Sequence, residues 1–193
     1  MATVALTILV VVFITQLLIP KARFEKVGLF GGQILFLTAL IIFGVAAYYS
    51  YQQYLIWSSS QFSQLFLPPY QDLDYFISYT RTRFFNPYIL SLIFSFLFLL
   101  STKTLNNKFG ERFFENSEII LFSLALFLVG HPGWLLYLII ILFTVTLFST
   151  FHFWKKGHSD RLSLYWFWLP VGIFTILISK WLSLTTLWKI LDL

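Results

Sequence analysis

After Glu118 the chain runs to Trp154 without a Lys, Arg, Asp or Glu, and that run decides what it can become. An apolar stretch of this length suits a lipid solvent, in which every backbone N–H and C=O must be paired inside the segment, as a helix does. It is also too long for one crossing at ~20 residues per helix. Its only break is Gly130-His131-Pro132-Gly133, where two glycines around a proline stop a helix and turn the chain. The run therefore predicts two helices, about 111–130 and 134–154, joined by a tight hairpin. Antiparallel packing of the pair places Glu118 and His152 at one membrane face.

Four more apolar runs, about 2–19, 27–51, 84–101 and 164–179, bring the expected spans to six. Pro87 stands near the start of the third, where proline is tolerated, and Pro170 stands inside the sixth as an expected kink. The first run has only Thr and Gln as polar members and ends in Pro20-Lys21-Ala22-Arg23. It reads as a retained anchor, because a cleaved signal peptide has a basic start and a small-residue cleavage site. Composition agrees: 59% of residues are hydrophobic and 11% charged, with mean hydropathy +0.81, whereas a soluble domain carries about a quarter charged residues. No internal repeat is visible. The expected fold class is all-α, a multi-pass integral membrane helical bundle of about six transmembrane helices in a single domain, 1–193.

The thirteen Lys and Arg are scattered between the apolar runs and do not form a stripe. They indicate contact with a lipid bilayer and no nucleic-acid partner. With the N-terminus outside, nine of them fall in the inner connections 20–26, 102–117 and 155–161, leaving Arg81, Arg83, Lys180 and Lys189 outside. That bias follows the positive-inside rule. Cysteine is absent, which excludes disulfides, thiol chemistry and cysteine-ligated metal. The segment 52–83 mixes Ser58-Ser59-Ser60, Pro68-Pro69 and many aromatics, and is expected to be an extracytoplasmic or interfacial segment, with a re-entrant excursion as the alternative.

Chemistry in such a chain sits at its ionisable residues. Glu111, Glu115 and Glu118 are spaced i, i+4, i+7, one face of a helix leading into the fourth span. They read either as a carboxylate cluster able to act as acid or base, or as an acidic first turn favourable to the helix dipole and balanced by Lys108 and Arg112. Asp72 and Asp74 read as solvated loop residues, and His131 as a turn residue. His152, His158, Glu115 and Glu118 lack any metal-ligand spacing such as HExxH, so neither a metal nor a cofactor is expected. Gly-rich phosphate loops, a GxSxG turn and a dinucleotide fingerprint are absent from the sequence.

The stretch from Glu111 to Ile178 resembles the C-terminal half of the type IV prepilin peptidases, membrane aspartic proteases that trim pilin-like leaders. Glu115-Asn116-Ser117-Glu118 occupies the place of that family's Gly-x-Gly-Asp, and Ile119 to Gly130 resembles the helix that follows with its closing glycine. Lys155-Lys156 resembles its basic loop, and Leu162-Ser163-Leu164-Tyr165-Trp166 stands where Ile-Pro-Phe-Gly-Pro would be. Both glycines of the motif are missing and Glu118 stands for the aspartate. Ser78-Tyr79-Thr80-Arg81-Thr82-Arg83-Phe84-Phe85-Asn86 resembles the stretch around the second aspartate, with Ser78 in its place.

The resemblance implies a bacterial inner (cytoplasmic) membrane location and, with the motif broken, a non-catalytic scaffold or partner of other membrane proteins in an envelope assembly. An active carboxyl-type membrane protease is the first alternative, with Glu118, Glu115, Asp72 and Asp74 as candidate catalytic residues. The second is a small transporter or channel subunit, disfavoured by the scarcity of polar groups within the spans.

Overall fold

The computed structural model describes residues 1–19, 31–110, 114–156, 163–186 and 188. Seven α-helices fill most of them: α1 (Ala2–Leu18), α2 (Gly31–Ser59), α3 (Leu73–Thr80), α4 (Asn86–Lys108), α5 (Asn116–Val129), α6 (Gly133–Lys156) and α7 (Trp168–Leu182). A π turn, Arg81–Phe85, carries α3 into α4, so that Leu73–Lys108 is one apolar rod of 36 residues. Among the described residues there is no strand. The protein is an all-helical bundle. Three of its helices, Gly32–Ser59, Leu73–Lys108 and Gly133–Trp154, are long and apolar enough to cross a membrane. Ala2–Leu18, Asn116–Val129 and Trp168–Leu182 are shorter apolar helices.

The short α5 is the axis of the bundle. From Ile119 to Val129 its sequence is apolar on every side but for Ser123, and a helix without a polar face has to be surrounded. Every residue from Ser117 to Leu128 except Ile120 is buried, and α1, α2, α4, α6 and α7 all touch it.

Between helices in lipid there is no hydrophobic gain to collect, so close packing and hydrogen bonds hold them together. On α4 the buried residues Tyr88, Ser91, Ser95, Thr102 and Asn106 share one face. The Ser91 and Ser95 hydroxyls donate to the carbonyls of Phe127 (2.9 Å) and Ser123 (2.6 Å) on α5. On the other side Gly172 lets α7 approach: a Cβ there would lie 3.2 Å from Ala125 Cβ and 3.5 Å from Leu9 Cδ1.

The Gly130–Gly133 break is a hairpin. Gly130 has φ 73° and ψ 169°, a region open essentially to glycine alone, and the Trp134 N–H returns to its carbonyl at 2.8 Å. Beyond the turn the chain folds back, with the rings of Phe122 and Tyr137 5.5 Å apart.

Three local readings differ from the sequence expectations. Helix α2 runs to Ser59, beyond the expected end at 51, and helix resumes at Leu73, so most of 52–83 is helical. Rings hold this extension together: Trp57 contacts Tyr79 at 4.9 Å and Phe76 at 5.4 Å, and Tyr54 meets Phe76 at 5.6 Å. Pro170 is the third residue of α7. Its missing N–H is there one of those with no helical partner, so it fits a helix start and not a mid-span kink. Helix α5 begins at Asn116, later than the expected 111, because Glu115 has extended backbone (φ −75°, ψ 149°) and acts as the cap.

Candidate functional site

The capping geometry sets what the carboxylates do. Glu115 is the N-cap of α5 and Glu118 its third residue, and each side chain accepts the other's backbone N–H in a capping box. Glu118 Oε2 takes the Glu115 N–H at 3.1 Å. The two residues thus face each other across the helix start, in place of the shared helix face their spacing predicted. Glu111 lies outside the described residues, as do His158, Asp160 and Asp192.

Glu118 also ties in a second segment. It is 1% exposed, and its Oε1 accepts the Leu164 N–H at 2.7 Å and the Ser163 hydroxyl at 3.1 Å. Burying a carboxylate costs several kcal/mol unless donors replace its water. Here backbone N–H groups from two segments and one hydroxyl do so. One residue further on, the Tyr165 carbonyl accepts from the buried Gln16 Nε2 at 2.7 Å. Asn106 clamps the segment before α5, donating to the Phe114 carbonyl at 2.7 Å and accepting its N–H at 3.1 Å. The C-terminal ends of α1 and α4, the start of α5 and the entry to α7 are thereby joined at one end of the bundle, around Glu118.

Sequence reasoning missed Ser163, Leu164 and Asn106 in this network. Gln16 had left a signal, since a lone amide in an apolar run needs a partner inside the bundle.

The other candidates lie elsewhere. Asp72 stands at the N-cap position of α3 without a capping hydrogen bond from its side chain, and Asp74 occupies the first turn, both exposed. Tyr75 and Ser78 of that helix line a cavity shared with Gly130 and His131, at the hairpin end. Glu118 is separated from Gly130 by nearly the whole of α5, which puts the two aspartates roughly 18 Å or more from it. His131 accepts from Trp134 Nε1 at 3.1 Å within the hairpin itself. Phe148 meets Phe167 edge to face at 4.5 Å, three residues after Leu164, so His152 one turn further along α6 lies toward the Glu118 end. Among the described residues no three His, Asp or Glu are grouped to hold a metal ion.

Fold and site together define a helical bundle with membrane-length spans and a carboxylate-centred clasp at one end. No protein-family model matches the chain, and neither does any curated protein or solved structure compared with it.

Proposed function

We propose that this protein is a non-catalytic, prepilin-peptidase-like integral membrane protein that serves as a scaffold or partner in an envelope assembly of the bacterial inner membrane, with its N-terminus outside. The observation that carries the reading is the occupation of Glu118. Both of its oxygens accept hydrogen bonds from the chain's own backbone, and the side chain is sealed from solvent. Carboxyl-type hydrolysis needs two carboxyls that share a proton over an attacking water. The nearby Glu115 turns its side chain to the Glu118 N–H, and Asp72 and Asp74 belong to the other end. Such a carboxylate holds helices together, as a scaffold requires.

The bundle geometry also supports the orientation. Lys103 and Lys108 lie toward the Glu118 end, whereas Arg81, Arg83 and Lys180 lie toward the hairpin end, in keeping with a cytoplasmic Glu118 end.

The test is incubation of the purified protein with a pilin-type leader peptide beside its Glu118→Gln variant. The expected outcome is no cleavage by either. Cleavage by the wild type that disappears in the variant overturns the proposal in favour of a protease.

A further inference from the structure

At the hairpin end, α3 with its π turn, the ends of α1, α4 and α7 and the turn at Gly130 line an open cavity of about 1050 Å³, at the top of the ~300–1,000 Å³ range of small-molecule sites. Its lining is sorted by depth. Arg83, Asn86, His131, Ser179 and Lys180 form the polar part at the end of the bundle. One helical turn inward along α1, α4 and α7 the wall becomes apolar, with Leu6, Leu90, Ile176 and Leu177. Two cationic side chains, Arg83 and Lys180, and no carboxylate are among the described lining residues. The Arg83 guanidinium lies over the Tyr79 ring, 5.9 Å from its centroid, which steadies the side chain while leaving its N–H groups for a ligand.

An occupant complementary to these walls is negative at one end and a hydrocarbon at the other, with the two ends about one helical turn apart. We infer that the cavity is a binding site for an anionic phospholipid. Its phosphate engages Arg83 and Lys180, and one acyl chain follows the apolar wall toward the bundle core. A zwitterionic lipid brings an ammonium against the two cations and binds less well, and a free phosphate leaves the apolar wall uncovered. The inference requires only that the chain sits in a bilayer, and it stands whether or not the protein is a scaffold.

The experiment titrates phosphatidylglycerol into the purified full chain in phosphatidylcholine nanodiscs and reads bound lipid by native mass spectrometry. The expected result is saturable retention of phosphatidylglycerol that weakens roughly tenfold or more in the double variant Arg83→Gln/Lys180→Gln. Arg81→Gln, on the same turn but outside the cavity, should bind as the wild type does. Leu177→Trp keeps both charges and fills the apolar end, so it too should lose the lipid. Unchanged binding in the double variant or in Leu177→Trp overturns the inference. So does an equal loss in Arg81→Gln, which indicates general surface charge, or displacement of the lipid by millimolar inorganic phosphate, which indicates a free-anion site.

Discussion

At residue scale, Glu118 shows how a buried carboxylate can be structural. Its place in the first turn of α5 suits the positive end of the helix dipole, and its oxygens meet the Glu115 N–H, the Leu164 N–H and the Ser163 hydroxyl. Removing the acceptor strands these donors in an apolar site. Glu118→Ala is therefore expected to lower the unfolding free energy by about 2–4 kcal/mol, since each stranded donor costs about 1–3 kcal/mol. Glu118→Gln keeps one acceptor but turns an amide N–H₂ toward a backbone donor, and should cost about 1–2 kcal/mol. Ser163→Ala loses one of two bonds on Oε1 and is expected to cost about 1 kcal/mol or less. Thermal unfolding in detergent ranks the three, and an alanine variant at 118 that melts like the wild type removes the clasp from the account.

At the scale of elements, the hairpin between α5 and α6 depends on one glycine. At φ 73° and ψ 169°, Gly130 occupies backbone space that a Cβ makes costly, so Gly130→Ala should destabilise by about 1–3 kcal/mol. Space is not the cause, because the added Cβ would meet only the Tyr88 ring, at 3.6 Å. Loss of stability with the helical circular dichroism retained is the expected signature. This turn was legible in sequence because Gly-His-Pro-Gly interrupts an otherwise uncharged run. The helix ends around 52–83 were not. Ser58-Ser59-Ser60 and Pro68-Pro69 mark only the tip, and the flanking turns are held by rings such as Trp57 on Tyr79, partners far apart in sequence. The clasp was half legible for the same reason. An acidic first turn can be read from residues 115 and 118, but the acceptor's other donors arrive from residues 163 and 164, across a long-range contact that no local pattern encodes.

At the scale of the whole molecule, the clasp and the cavity lie at opposite ends of the bundle, and the orientation proposed above assigns each end to a side of the membrane. Two helical segments exceed the hydrocarbon thickness of ~30 Å by a wide margin: at 1.5 Å per residue, the 29 residues of α2 span roughly 43 Å and the 36 residues from Leu73 to Lys108 roughly 54 Å, against roughly 36 Å for the 24 residues of α6. Ring contacts of α2 with α3 and the π turn after it show where the excess goes. Phe43 faces Phe85 and Tyr49 faces Phe84, while Trp57 and Tyr54 pair with Tyr79 and Phe76 further out. The α2–α3 hairpin thus projects past the Gly130 turn, and its tip belongs outside if the N-terminus does. The chain has no cysteine, so single reporters can be introduced without removing any. The connection after α4 is the natural inner reporter, but Asn106 is 1% exposed and bonded to Phe114, whereas the neighbouring Asn107 is exposed. Gln61, exposed at the projecting tip, is the outer one. With a membrane-impermeant maleimide on intact cells, Gln61→Cys should be labelled at once and Asn107→Cys only after the membrane is opened. The reverse pattern inverts the bundle, places the cationic cavity on the cytoplasmic side, and removes the positive-inside argument on which the orientation stands.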